Sequence, residues 1–194
     1  MKFCLKCSNP FLRDEWSCPA CNWQPARLGG RLAFAPDFAQ QDPGFASHYF
    51  EDLAQQEEGH FWFESRNRII LWMLRTYFPQ MTNFLEIGCG TGFVLSSVQR
   101  SFPGLAISGS EIFPQGLQFA SERLLSASLF QMDARHVPFQ EEWDVIGAFD
   151  VLEHIDEDEA VLAEMFRATK TGGGIVLTVP QHPWLWSAVD EYAF

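Results

Sequence analysis

The chain is poor in positive charge, has no long apolar run and shows no internal repeat or low-complexity tract. Thirteen Lys and Arg stand against 25 Asp and Glu, for a net charge of −12. Nucleic-acid binding draws on clustered basic side chains to neutralise phosphates. No basic run supplies them here, so no nucleic-acid partner is expected. The longest apolar runs, Ile69 to Leu74 and Ile175 to Val179, fall far short of the roughly 20 residues that cross a bilayer, so no membrane span is expected. The start of the chain lacks the apolar stretch and small-residue cleavage site of a secretory signal, which points to the cytoplasm.

What is present is apolar material for one sizeable core and a small appendage: 194 residues, 47% hydrophobic and 15% aromatic. Four of the five cysteines fall in the first two dozen residues. Pro and Gly then punctuate a stretch without periodicity. This divides the chain into a knuckle over 1–28, a linker over 29–44 and a core over 45–194. From Phe45 to Phe78 apolar residues recur at three-to-four spacing, predicting helix up to Pro79. Beyond it, short apolar strands alternate with helical segments, the signature of a parallel sheet covered on both faces. Strands are expected at Asn83 to Ile87, Ala106 to Ser110, Leu129 to Met132, Trp143 to Phe149 and Gly174 to Val179. Helices are expected at Gly92 to Arg100, Pro114 to Leu125 and Glu157 to Lys170, with Gly172-Gly173-Gly174 closing the last. The acidic run Asp156 to Glu159 reads as a solvated first helical turn, where negative charge suits the dipole.

Leu85-Glu86-Ile87 runs directly into Gly88-Cys89-Gly90-Thr91-Gly92 before a helix. Glycines at such a strand-turn-helix let the backbone take positive φ and approach a ligand closely. Dinucleotide-binding turns place a third glycine where this chain has Phe93. The turn, with Glu86 before it, resembles the first motif of class I S-adenosylmethionine-dependent methyltransferases. The resemblance continues through Glu111 after the second strand, Met132-Asp133-Ala134 after the third, and Trp143 to Ile155 around the fourth. It implies a Rossmann-like, doubly wound, mostly parallel sheet. It also implies S-adenosylmethionine held at its methionine end by Glu86, Gly88, Cys89, Gly90 and Gly92. Glu111 would take the ribose hydroxyls, Asp133 the adenine amino group, Ile112 and Met132 would flank the ring with Ala134 beside it, and Phe149 would line the substrate side. Cys89 itself reads as a small filler, and Asp144, at the start of its strand, as structural.

Cys4-x-x-Cys7 and Cys18-x-x-Cys21 are ten residues apart, so two thiolate pairs can converge on one tetrahedral metal. Four sulfur ligands leave no open position, which favours a structural zinc; iron suits the same cage, and disulfides are the alternative in an oxidising compartment. Recruitment of a partner, docking of substrate and capping of the enzyme stay open as its role.

Methyl transfer needs a base only where the acceptor must lose a proton. Candidates are His154, directly after the fourth strand, with Glu153, His182 and His60. The aromatic segment His60 to Arg66 is similar to a helix that closes over the cofactor in related enzymes, which would set Arg66 on the methionine carboxylate with Trp62 beside it. Packing into the core is the simpler account of the aromatics. Gln181-His182-Pro183-Trp184-Leu185-Trp186 follows the fifth strand and suggests an apolar or ring-bearing acceptor.

Class I cores carry seven strands, and this chain ends about fifteen residues after the fifth. A fragment of a longer protein is therefore expected, with an uncovered sheet edge through which a homodimer could form. The leading function is methylation of a small-molecule acceptor of quinone, sugar or lipid-linked type. The competing functions are a non-catalytic S-adenosylmethionine-binding and zinc-knuckle interaction module, and a nicotinamide-dependent oxidoreductase.

Overall fold

The computed structural model describes residues 1–40, 47–182 and 184. Two short strands, β1 (Lys2–Phe3) and β2 (Pro10–Phe11), pair antiparallel in the knuckle. The hairpin β3 (Ala26–Leu28) and β4 (Arg31–Ala33) follows, turning on Gly29 and Gly30, both at positive φ. Helices α1 (Ser47–Glu57) and α2 (Phe61–Tyr77) precede β5 (Asn83–Ile87), α3 (Phe93–Ser101), β6 (Ala106–Glu111), α4 (Pro114–Arg123), β7 (Ser128–Gln131), β8 (Trp143–Phe149), α5 (Asp158–Ala168) and β9 (Thr169–Thr178).

The seven-stranded sheet has the order β3-β4-β7-β6-β5-β8-β9, parallel throughout except for the β3–β4 hairpin. This is the expected α/β class. β5 and β8 lie inside the sheet as nearly continuous buried runs, and the two-residue alternation decides which face each side chain joins. Phe84 and Val145 pack with Ile70 and Leu74 of α2 and Val98 of α3. Leu85 and Ile146 pack on the opposite face with Val161 and Met165 of α5. Glu86 shares the parity of Phe84, so it belongs to the face that α2 covers.

Three local expectations are corrected. The single helix predicted over Phe45 to Phe78 is two helices, broken at Gly59 (φ +79°), after which the ring of His60 caps α2 by accepting from the Trp62 N–H; Phe45 itself lies outside the described residues. Residues 31–33, expected within a linker, form β4, whose Leu32 and Ala33 pair with Phe130 and Gln131 of β7. The remainder of that expected linker from 41 to 44 lies outside the described residues. The glycines Gly172 to Gly174 do not close α5 but run inside β9, because a Cβ at Gly173 would strike the Asp144 carbonyl and one at Gly174 the Phe78 ring. Asp144 is structural, as expected. Its carboxylate accepts from the Thr82 and Asn83 backbone N–H groups and from Lys170 Nζ at 2.7 Å, tying the start of β8 to its neighbours.

Candidate cofactor site and metal centre

The three turn glycines take φ of +68°, +49° and +77° at Gly88, Gly90 and Gly92, a conformation open to glycine at little steric cost. Two of them also face close neighbours: a Cβ at Gly88 would strike Val151, and one at Gly92 would lie 3.0 Å from Ala120. At Gly90 nothing stands within 4 Å of where a Cβ would lie, so that side of the backbone is open for a ligand to approach. Cys89 is buried with its Sγ packed towards Gly109, and burial pushes its thiol pKa well above the ordinary value; it acts as a filler. Phe93, at the position of a dinucleotide turn's third glycine, is buried.

Five carboxylates stand at the carboxyl ends of the parallel strands; one, Asp150, pairs with Arg66, and the other four divide into two kinds. Glu111 at the end of β6 accepts from the Gly90 N–H at 3.0 Å, the Ile112 N–H at 2.8 Å and the Phe113 N–H at 3.1 Å. Burial still raises its pKa against those three donors. Asp133, after β7, is embraced by Arg135 through its backbone N–H, Nε and Nη2, with His136 Nδ1 at 3.4 Å. Burial pushes its pKa up, but the Arg135 hydrogen bonds outweigh this and hold it below the ordinary value. Ala134 is buried beside it, and Ile112 is half-buried with its carbonyl engaged by Gln131.

Glu86 and Glu153 are the other kind. Glu86 is 2% exposed, and its Oε2 is buried without a hydrogen-bond partner; Glu153 Oε2, in the 3-10 turn Leu152–His154 after β8, is likewise buried and unpaired. Burial drives the Glu86 pKa well up and the Glu153 pKa up, while the Arg66 guanidinium pulls both down. Arg66, from α2, stacks over Trp62 at 4.8 Å and pairs with Asp150, the residue after β8, which sits at φ +57° and takes Thr178 Oγ1 at 2.9 Å. Arg66, expected on a ligand carboxylate, is thus already engaged by a protein carboxylate. Phe149 is buried on the α2 face of the sheet, and Trp62 is 45% exposed.

His154 is exposed, yet partial burial of its ring is enough to lower its pKa, so it is neutral at pH 7. His60 and His182 are exposed; Pro183, Leu185 and Trp186 lie outside the described residues.

Sequence patterns did not reveal a buried cluster that ties α1 to the glycine turn. Glu57, 3% exposed, accepts from Thr91 Oγ1 at 2.6–2.7 Å and from Arg123 Nη1 at 2.6 Å, while Phe50 of the same helix packs against the Gly116 backbone. Thr91 within the turn was the one visible hint. The pairing of Glu57 with Arg123 spans 66 residues, which no local pattern encodes.

The knuckle brings its four cysteines together. Each half is the same turn: Cys4 N–H donates to Asn9 O and Ser8 N–H to Cys4 O, while Cys18 N–H donates to Trp23 O and Asn22 N–H to Cys18 O. Ser8 and Asn22 both take left-handed φ, +57° and +56°. The four Sγ atoms lie within 4.8 Å of one another, with Cys4–Cys21 and Cys7–Cys18 at 3.6 Å. A tetrahedron with metal–sulfur bonds of about 2.3 Å has S–S edges of about 3.8 Å, so the donor set fits one such ion.

Residues 85–177 match the methyltransferase domain family. The chain is 28% identical over 101 residues to the ubiquinone/menaquinone biosynthesis C-methyltransferase of Desulfotalea psychrophila, covering 50% of this chain and 41% of that one. It is 31% identical over 100 residues to the phosphatidylethanolamine N-methyltransferase of Cereibacter sphaeroides, covering 48% of each. The solved S-adenosylmethionine-bound amino pentose methyltransferase of calicheamicin biosynthesis from Micromonospora echinaspora superposes with a TM-score of 0.60 at 25% identity, covering 71% of this chain and 58% of that one. Residues 85–177 are thus similar to a methyltransferase domain, and the chain shares the Rossmann-like fold of that solved enzyme. It spans less than half the length of the curated relatives it matches. No described helix is long and apolar enough to cross a membrane.

Proposed function

We propose that the core binds S-adenosylmethionine at the carboxyl ends of β5 to β8 and transfers its methyl group to a small-molecule acceptor. The observation that carries this reading is the pair of buried, unpaired oxygens on Glu86 and Glu153. Leaving a buried carboxylate oxygen without a donor costs free energy, and such a group beside a glycine turn suits a ligand bearing positive charge. The methionine end of the cofactor supplies an α-ammonium. Bound there, S-adenosylmethionine would supply an electrophilic methyl on its sulfonium.

The chain's own residues then do the rest. Glu86 takes the ammonium, and the open Gly90 backbone lets the cofactor approach. Glu111 keeps capacity for a ribose hydroxyl, since two carboxylate oxygens offer about four acceptor positions and three are engaged. Ile112, Asp133 and Ala134 form the adenine side, where Arg135 fixes the Asp133 carboxylate in place. Phe149 and Trp62 exclude water, and much of the rate of an in-line displacement comes from such positioning. For an acceptor that must lose a proton, His154, neutral at pH 7, receives it. Quinone, sugar and lipid-linked acceptors are the candidate class, in keeping with the relatives' own substrates.

Titration with S-adenosylhomocysteine and, separately, NAD tests the reading. Binding of the first and not of the second is expected; the reverse would return the site to a nicotinamide cofactor. A labelled-cofactor screen over the three acceptor classes identifies the substrate. The knuckle would hold zinc through Cys4, Cys7, Cys18 and Cys21, and elemental analysis should find about one zinc per chain. The reading also includes a cytoplasmic location and a homodimer through the sheet edge; sedimentation of the purified chain checks the dimer.

A further inference from the structure

The knuckle is built into the sheet. On its inner side the Phe3 N–H donates to Pro138 O at 2.8 Å and the Gln140 N–H to Met1 O at 2.9 Å, so the chain's first residues bind the loop that follows Asp133 and Ala134. Trp16, between the two cysteine pairs, sets its ring against Phe34 at 4.7 Å and Phe139 at 5.7 Å. Phe34 follows β4 and donates its N–H to Gln131 O at 2.8 Å.

Gln131 is the hinge of this arrangement. It is 1% exposed, and its carboxamide accepts from the Ala35 N–H at 3.1 Å while donating to Ala35 O at 2.7 Å and Ile112 O at 3.0 Å. One buried side chain therefore joins the strand leaving the knuckle to the residue after Glu111. The same knuckle braces the loop after Asp133 from its other end. Both walls assigned to the adenosine half rest on it, whereas the Glu86 side is built from α2, β5 and the turn after β8.

We propose that the four-cysteine knuckle is a working part of the cofactor site: held by its metal, it fixes the adenosine half through Phe34, Ala35 and the Gln131 carboxamide, with Gln131 as a positioning residue. The inference rests on reading the core as an S-adenosylmethionine site and the thiolates as a zinc site. Its physical basis is the small size of the knuckle's own core, in which Cys4, Phe11 and Cys18 are the buried apolar members. A cluster of that size cannot hold a fold without cross-links, and metal binding supplies the missing folding free energy. Once the metal leaves, Trp16 no longer seats Phe34, and the adenosine wall samples other arrangements. Apparent affinity then falls by the fraction of molecules still competent to bind.

The test measures S-adenosylhomocysteine affinity by calorimetry on the full chain, as purified and after chelation, with zinc content and near-ultraviolet circular dichroism followed alongside. Chelation should weaken binding about tenfold, equivalent to about 1.4 kcal/mol. Gln131→Met, which keeps the volume but removes the hydrogen bonds, should do the same in zinc-loaded protein. Chelation of Gln131→Met should add little, because both changes break one path; losses that multiply would mean independent effects and overturn the proposal. Asp144→Asn serves as the control, lowering stability at the amino ends of β5 and β8, away from the proposed site, while leaving affinity unchanged. Unchanged affinity in chelated protein whose core keeps its dichroism overturns the coupling. A purified chain without zinc overturns the knuckle reading and this inference with it. Zinc-loaded chain that binds no S-adenosylhomocysteine overturns the cofactor reading instead. Should chelation unfold the whole chain, Gln131→Met against Asp144→Asn still decides.

Discussion

The two halves of the proposed cofactor site are prepared in opposite ways. On the side proposed for adenosine, Glu111 and Asp133 already hold their hydrogen-bond donors, three backbone N–H groups for the first and Arg135 for the second. On the side proposed for the methionine end, Glu86 and Glu153 each bury an oxygen that has no donor. One half is preorganised by the protein; the other carries the desolvation cost of a carboxylate until a cation arrives. Strained electrostatics of that second kind marks functional sites, because stability alone would favour removing it.

Replacing Glu86 should show this contrast most strongly. Glu86→Gln should weaken S-adenosylhomocysteine binding by about 2 kcal/mol, roughly thirtyfold, while the Tm of the ligand-free protein stays level or rises. A fall in Tm with affinity intact would show that Glu86 serves the fold and would break the comparison. Glu111→Ala should act the other way round in the ligand-free protein, costing about 1–3 kcal/mol because three N–H groups lose their acceptor. Thermal unfolding measures that loss, and an unchanged Tm would mean the donors are satisfied without it.

Protonation sharpens the same point. The folded pKa of Glu86 lies above its ordinary 4.5, so the folded state holds the proton more tightly than the unfolded one. Stability of the ligand-free protein should therefore fall as pH rises from about 4.5 towards the raised value, and a cationic ligand should oppose this by releasing the proton. Calorimetry of S-adenosylhomocysteine binding in buffers of different ionisation enthalpy should detect that release in the pH range between the ordinary and the raised pKa. Identical heats in all buffers would place the ammonium elsewhere. The smallest effect is expected at Trp62, which is 45% exposed: Trp62→Ala should change stability by no more than about 0.5 kcal/mol, and a larger loss would make its stacking on Arg66 part of the core.

Much of the fold was legible along the chain because its signals are local. Asn83 to Ile87 and Trp143 to Phe149 are strands over the expected residues, since buried parallel strands announce themselves as continuous apolar runs. The glycine turn and the twin cysteine pairs were equally clear, because their spacing is their chemistry. Gly172 to Gly174 misled for a reason the sequence does not contain: these glycines answer to Phe78 and the Asp144 backbone, which are distant in sequence. The β3–β4 hairpin escaped because its strands are only three residues each and carry no alternation to read.

By itself the sequence determined the class of fold, the cradle at Gly88 to Gly92 and the four-sulfur donor set, all of which depend on neighbours within a few positions. Only the tertiary structure decided which carboxylates are satisfied. Arg66 was expected on a ligand carboxylate, and the fold pairs it with Asp150; Asp133 was expected on an adenine amino group, and the fold sets Arg135 on its carboxylate. Whether a charged group is free depends on what the packed chain places beside it, and the groups that meet here come from separate elements, as Arg66 of α2 and Asp150 after β8 do across 84 residues.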